Sequence, residues 1–298
     1  MHYECIIIGG GIAGLQAAIQ LGRYEHDVLV IDAEDGRSTI CRSYHNILGY
    51  PDGVSGQELR EIGKEHAKRY GIDFLKAKVT DVEKNENGFT VYADEVGYEA
   101  RCLLFSTGVM DRLPSLPNLA PCLGISVYVC PDCDGYEVKG KRTIVMGSGQ
   151  AGANMALTLG YWTNDIVFIN HEQEKVNPEI LERLEENRIE YIEEPIEKVL
   201  EKDSMFQGVT LRNGAVITGE RGFVALGGNE VKSALPKKLG VEVMDNKHIK
   251  VDPRTKMTNV PNIWAAGDVV AHSEQVTIAM GDGSQAAIWI HKTLLQAY

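Results

Sequence analysis

The sequence predicts an α/β protein of two Rossmann-like, three-layer nucleotide-binding domains, and three observations predict it. A glycine-rich turn, Gly9-Gly10-Gly11-Ile12-Ala13-Gly14, joins an apolar run to a helix-like stretch near the start. A turn of the same form, Gly147-Ser148-Gly149-Gln150-Ala151-Gly152, recurs at mid-chain in the same setting. The length, 298 residues, suits two domains.

In chain order, the first strand spans Tyr3 to Ile8, with three consecutive isoleucines, and a helix follows from Leu15 to Arg23. A second strand, Asp27 to Ile31, ends at Asp32. This order of strand, glycine turn, helix, strand and acid is the context a dinucleotide fingerprint requires. Gly9 permits the tight turn, Gly11 lets the backbone approach a pyrophosphate, and Gly14 allows close helix–strand packing. The pyrophosphate would lie on the helix N-terminus, where free N–H groups and the dipole favour an anion. Asp32 would accept hydrogen bonds from a ribose hydroxyl.

Further along, Arg101 to Phe105 reads as a buried strand ending at Ser106-Thr107-Gly108, and the proline-rich stretch Leu113 to Pro121 reads as a linker. Cys130-Pro131-Asp132-Cys133 then precedes the second unit: strand Thr143 to Met146, its glycine turn, helix Ala153 to Leu159 and strand Ile166 to Ile169. The Glu-rich region Glu172 to Glu201 reads as a solvated helix face. Asn262 to Gly267 is a strand running into a Gly-Asp turn, and a last helix covers Val276 to Ala297.

Composition narrows the function. Thirty Lys and Arg against 42 Asp and Glu give a net charge of −12. That balance opposes sequence-independent binding to nucleic acid or an anionic membrane. The most apolar stretch, Cys5 to Ile19, is broken by four glycines and falls short of the ~20 residues a spanning helix needs. Met1-His2-Tyr3-Glu4 lacks the basic start of a signal peptide, so the expected location is cytoplasmic. Six cysteines are too few for a disulfide scaffold, and in a reducing compartment the CxxC spacing points to redox chemistry or half a metal site. Zinc would need two further ligands at similar spacing; no second CxxC follows, so no metal site is expected.

Taken together, these motifs resemble the low-molecular-weight thioredoxin reductases and related pyridine nucleotide-disulfide flavoproteins, over essentially the whole chain. The resemblance implies bound FAD. Gly9, Gly11, Ala13, Gly14, Asp32 and Ala33 would form the first part of its site, and Thr107 and Gly108 match the family's Ala-Thr-Gly turn. Gly267 and Asp268 match the second FAD motif, whose Asp contacts the ribityl chain. Asn46 and Gly49 match a segment bordering the isoalloxazine, and the backbone of Gln275 and Val276 would face the pyrimidine edge. Residues 1–112 and 245–298 would form a split FAD domain, with 113–244 inserted and carrying the redox motif. A homodimer is the family expectation.

Cys130 and Cys133, followed by Asp134-Gly135, match the family's Cys-x-x-Cys-Asp-Gly. By that analogy Cys133 exchanges electrons with the flavin, Cys130 meets the external substrate, and Asp134 donates and accepts the proton of the departing thiol. Asp132 between the thiols should raise the thiolate pKa. Cys41, Cys102 and Cys122 read as small core residues, and His45, beside Asn46, as a hydrogen-bonded structural histidine or, alternatively, a proton shuttle.

Two departures from the family stand out. NADPH-using members carry a His-Arg-Arg-x-x-x-Arg run after the second module's strand to hold the 2′-phosphate. Here the run is Asn170-His171-Glu172-Gln173-Glu174-Lys175. A dianionic phosphate needs cationic partners, which Arg supplies best, and two glutamates would repel it. Asn170 could still bond a 2′-OH, so NADH is left open. Before the last helix, Glu274-Gln275 replaces the family's Arg-Gln, placing an acid where a cation is usual.

The expected function is therefore FAD-dependent reduction of a disulfide on a thioredoxin-like protein, with a donor other than NADPH such as reduced ferredoxin. One alternative is a dithiol oxidase that closes a disulfide in a small molecule and passes electrons to O₂. Another is a non-catalytic FAD redox sensor.

Overall fold

The computed structural model describes residues 2–296. The elements in chain order are β1 (His2–Ile8), α1 (Ile12–Arg23), β2 (Val28–Asp32), α2 (Gly56–Lys68), β3 (Asp73–Lys76), β4 (Val79–Asn85), β5 (Gly88–Ala93), β6 (Val96–Phe105) and β7 (Val109–Met110). There follow β8 (Val127–Tyr128), α3 (Pro131–Asp134), β9 (Thr143–Gly147), α4 (Gly149–Leu159), β10 (Ile166–Asn170), α5 (Pro178–Glu186), β11 (Glu190–Ile192), β12 (Ile196–Lys202), β13 (Met205–Leu211), β14 (Val216–Thr218) and β15 (Arg221–Ala225). The last are β16 (Glu230–Val231), α6 (Ala234–Lys238), β17 (Ile263–Ala265) and α7 (Val276–Gln296). Ala297, the expected end of the last helix, lies outside the described residues. No helix among the described residues is long and apolar enough to cross a membrane.

The chain forms two compact units. One holds the residues through Ile40, Ser55–Met110 and those from Glu230 on; the other holds Cys41–Val54 and Asp111–Asn229. The return crossing falls at 229/230, earlier than the 244/245 read from the sequence. The cause is local: Glu230 and Val231 pair antiparallel with Met110 and Val109, which keeps both flanks of the crossings in the first unit.

In the first unit the strands run β3-β2-β1-β6-β5-β4, with β17 also paired to β6. β1, β2, β3, β6 and β17 are parallel, whereas β4, β5 and β6 form an antiparallel meander. The three-isoleucine run explains its own burial. Alternate residues face opposite sides of the sheet, so Ile6 and Ile8 join one apolar cluster while Cys5 and Ile7 join another with α1 and α7. A strand apolar on both faces must be covered twice.

The second unit's main sheet runs β11-β10-β9-β15-β8, all parallel, and a separate antiparallel sheet comprises β12, β13 and β14. α4 packs against β9 and β10 through Ala153, Ala156, Val145 and Phe168. Both fingerprint helices start earlier than the residue pattern implied, at Ile12 and Gly149, because each glycine turn feeds straight into helix. The Glu-rich region is only partly helical. α5 is capped by Asn177, whose side chain accepts the Glu179 N–H at 3.0 Å, and the remainder lies in loop and strand.

Candidate functional site

Strand register assembles the expected cofactor turns of the first unit. Ile8 on β1 pairs with Ile31 on β2 and Phe105 on β6, and Phe105 pairs with Ala265 on β17. Asp32, the Gly9–Gly14 turn, Ser106-Thr107-Gly108 and Gly267-Asp268 therefore all leave the carboxyl ends of adjacent parallel strands. That edge is where open α/β sheets bind ligands.

The turns are closely packed against one another, with open space beside Gly11. Gly9 has φ +105°, and a Cβ there would overlap the Ser106 carbonyl. Ser106 Oγ donates to Gly9 O at 2.7 Å, so the two turns lock together. A Cβ on Gly14 would overlap Gly9 O, whereas one on Gly11 would meet nothing within 4 Å. Gly11 caps α1 with extended backbone. The helix N-terminus thus presents unshared N–H groups beside free space, a cradle fit for a pyrophosphate.

Ala13 is buried, and its methyl lies where a Cβ on Gly267 would fall 2.8 Å away. Its contribution to a ligand can come only from the backbone. Ala33 directly follows β2 and is half-buried. Thr107 Oγ1 donates to Lys232 O at 2.6 Å, and Gly108 takes φ +68° facing open space. Gln275 directly precedes α7, whose first turn begins at Val276 and is tied by the Ala279 N–H to Gln275 O at 2.9 Å.

Several residues of this site could not be found from local pattern. Arg60 on α2 donates to Asp32 Oδ2 at 2.5 Å and fixes that carboxylate. Arg37 Nη1 donates to Glu274 Oε2 at 2.5 Å and to Asp268 Oδ2 at 3.2 Å. The acid that replaces the family's cation at Glu274 is met by a guanidinium from the turn after β2, and His248 Nε2 lies 3.2 Å from its other oxygen. Asp282 on α7 is buried, accepts the Gly267 N–H at 3.1 Å, and is paired with Lys256 at 2.8 Å and His272 at 2.5 Å. It holds the Gly267-Asp268 turn from behind.

In the second unit, Cys130 is the N-cap of the single turn α3 and Cys133 lies within it. The Asp134 N–H donates to Cys130 O at 3.0 Å, which closes the turn and brings the two half-buried thiols onto one short segment. Burial, and then the charge of Glu137, raises the Asp134 carboxyl from its ordinary value to about 7. It therefore changes charge near neutrality, as a group exchanging protons with a thiol needs to. Burial, and then Asp134, pushes the Cys41 thiol up to about 12, and burial takes Cys102 to about 12. Both stay protonated at neutral pH and are poor nucleophiles. Behind the motif, Trp162 covers Gly135 so closely that a Cβ would lie 2.6 Å from the indole.

Asn46 and Gly49 belong to segment 41–54, which is closed by the Tyr44–Val54 bridge and lies in this second unit. His45 is partly exposed, with Ser43 Oγ at 3.0 Å from Nε2 and Glu137 Oε1 at 3.4 Å from Nδ1.

The second glycine turn differs from the first. Asn170 is fully buried: its Oδ1 accepts the Gly149 N–H at 2.9 Å, and its Nδ2 donates to Glu174 O at 2.7 Å and Tyr191 Oη at 3.0 Å. The expectation that Asn170 could bond a 2′-hydroxyl is corrected, because its amide is already used. Glu172 pairs through both oxygens with Arg112.

Comparison with known proteins places these features in a wider group. The model of the pyridine nucleotide-disulphide oxidoreductases matches residues 3–283. A thioredoxin reductase of Aquifex aeolicus is 30% identical over 98% of this chain and 93% of its own. A thioredoxin reductase of Coxiella burnetii is 27% identical over 96% of this chain and 95% of its own. Among solved structures, the putative thioredoxin reductase TrxB of Bacillus anthracis superimposes with a TM-score of 0.86 at 26% identity, covering 99% of both chains.

Proposed function

The chain belongs to the pyridine nucleotide-disulphide oxidoreductase family, and on that premise we propose that it reduces a disulfide on a thioredoxin-like protein through Cys130 and Cys133, with an electron donor other than NADPH. It is a thioredoxin reductase-like oxidoreductase, and members of that branch are FAD-binding flavoproteins. The observation that carries the reading is the pair of thiols on one turn, directly followed by a half-buried carboxyl raised to about 7.

The open cradle at Gly11 fits FAD. The α1 N-terminus would hold its pyrophosphate, Asp32 a ribose, and Asp268 the ribityl chain, with the Gln275 and Val276 N–H groups at the pyrimidine. Bound FAD supplies a two-electron carrier between the donor and the cysteine pair. The chain's own chemistry is thiol–disulfide exchange. The Cys130 thiolate attacks the partner's disulfide, forming a mixed disulfide and releasing one partner thiolate, which takes a proton from Asp134. Asp134, now ionised, takes the proton of the Cys133 thiol as that sulfur attacks Cys130, and the departing second partner sulfur accepts that proton, leaving the Cys130–Cys133 disulfide. One disulfide is reduced and one dithiol oxidised.

Support for a donor other than NADPH comes from the loop after β10. Residues 171–177 contain no arginine, one lysine (Lys175) and two glutamates, and a 2′-phosphate is held best by bidentate guanidinium partners, which this loop does not supply. Reduced ferredoxin is the donor class proposed. Anaerobic mixing of the holoprotein with each candidate reductant tests this. The flavin is expected to bleach with a reduced ferredoxin and not with NADPH. Rapid bleaching at micromolar NADPH, with turnover of a thioredoxin disulfide, would overturn the donor assignment.

The cradle itself has a two-variant test. Gly11→Ala adds a methyl to open space, so the flavin-free chain should lose only about 1 kcal/mol, as alanine caps a helix less well than glycine. Its flavin retention should fall at least about tenfold, because the methyl blocks the pyrophosphate approach. Gly14→Ala instead overlaps Gly9 O and should cost the fold about 3 kcal/mol. Thermal melts with and without flavin separate the two effects, and equal losses in both variants would refute the assignment of the cradle.

A further inference from the structure

The second unit contains a dinucleotide turn with no room at it. Where Gly11 faces open space, a Cβ on Gly149 would lie 3.0 Å from the Glu174 Cβ and 3.4 Å from the Lys175 carbonyl. The Gly149 N–H, which in a ligand-holding turn is free for a phosphate, is instead taken by Asn170 Oδ1 at 2.9 Å.

We propose that residues 170–175 are a built-in occupant of the second dinucleotide seat, excluding NADH as well as NADPH, and that Glu172 uses the seat to fasten the two stretches where the chain enters and leaves this unit. The proposal deepens the donor reading above and rests on it, since a donor that is not a nicotinamide leaves this seat with no ligand to hold.

Glu172 stands where an anion belongs. Both of its oxygens meet the Arg112 guanidinium. Burial raises its carboxyl, but hydrogen bonds from Ser148, in the glycine turn, and from Arg112 bring it below the ordinary range. A guanidinium meeting both oxygens of a carboxylate is the partner that a phosphate would otherwise attract. Below it, the Asn170 amide makes three hydrogen bonds out of solvent, all of which an entering dinucleotide would have to break.

The same carboxylate reaches the crossings. Arg112 lies in the segment that enters the unit, and its Nη1 also approaches Leu226 O at 3.4 Å, in the segment that leaves it. The Arg112 N–H donates to Asn229 Oδ1 at 3.1 Å, and Asn229 Nδ2 donates to Asp111 Oδ1 at 3.1 Å. The entering and leaving segments are thus laced together, and Glu172 ties that lacing to the loop after β10 through Arg112.

The test uses the holoprotein, NADH and ADP-ribose as probes, and three variants. Glu172→Gln and Arg112→Gln break the ion pair with little change of shape, and the double variant Glu172→Gly/Glu174→Gly opens the seat. The unaltered protein should show no saturable NADH or ADP-ribose binding up to about 1 mM. The double variant should bind ADP-ribose at least about tenfold more tightly. In the two ion-pair variants, amide exchange at 111–113 and 226–229 should quicken several-fold. Saturable NADH binding by the unaltered protein at tens of micromolar overturns the proposal, while the donor reading stands or falls separately on NADPH bleaching. No gain of ADP-ribose binding in the double variant, with unchanged exchange in the other two, also overturns it.

Discussion

Replacing Cys133 by serine should leave a yellow, folded protein whose disulfide turnover has fallen by about 10⁴-fold or more. The hydroxyl cannot take part in thiol–disulfide exchange, because thiolate is the species that attacks. The two cysteines should fail differently. In Cys133→Ser, Cys130 can still attack the partner's disulfide, but nothing releases the adduct, so a mixed disulfide at Cys130 accumulates and is visible in an intact mass spectrum. In Cys130→Ser that adduct should be absent. An adduct on Cys133 in the latter variant would reverse the assignment of the two thiols. The remaining cysteines do not confuse the result: Cys5, Cys102 and Cys122 are buried, and the Cys41 thiol is held protonated.

Asp134→Asn should lower turnover about 10²- to 10³-fold and, at alkaline pH, make the protein more stable. Both effects follow from one raised pKa. Burial and Glu137 bring the carboxyl from 3.8 to about 7, so the native state holds a proton that the unfolded chain has already released. Folding is therefore most favoured, as far as this group is concerned, below about pH 4. That contribution is lost as pH rises through the window from about 4 to about 7, at 1.36 kcal/mol per unit of separation, or roughly 4 kcal/mol in all. Asparagine carries no such cost. Melting temperatures of the two chains should converge near pH 4 and diverge at pH 8, with the variant higher. The wild-type rate should also change through pH 7 while the variant's stays flat. A wild-type chain more stable than the variant at pH 8 would contradict the burial of a neutral acid here.

Much of the nucleotide-binding architecture was legible because its signals are local. Three isoleucines, a glycine turn and Asp32 fall within one strand–helix–strand unit, and backbone sterics alone require glycine where Gly9 meets Ser106 and where Gly14 meets Gly9. The three fixed turns follow once the strands align, because β1, β6 and β17 end in register. What escaped is non-local. Arg37 lies 231 and 237 residues from Asp268 and Glu274, its partners. A substitution that reads as a lost cation is a cation supplied from elsewhere in the chain.

Glu172 shows the same limit. Counted along the sequence, it repels a phosphate. In three dimensions it also turns to Arg112, 60 residues away, and the neighbouring Asn170 turns inward. The meander β4–β5–β6 was not anticipated either, since alternating half-buried strands such as β4 and β5 leave a weaker pattern than the continuous apolar run of β1. The domain boundary depends on two residues of β16 pairing with two of β7, too short a signal for composition to reveal.

An anaerobic reductive titration tests directly the proposed exchange of electron pairs between the cysteine pair and a bound flavin. The wild-type holoprotein should absorb twice the reducing equivalents per flavin that the Cys133→Ser protein absorbs before the yellow colour is fully discharged. Equal uptake by the two proteins, or a colourless chain that cannot be loaded with FAD, would contradict it.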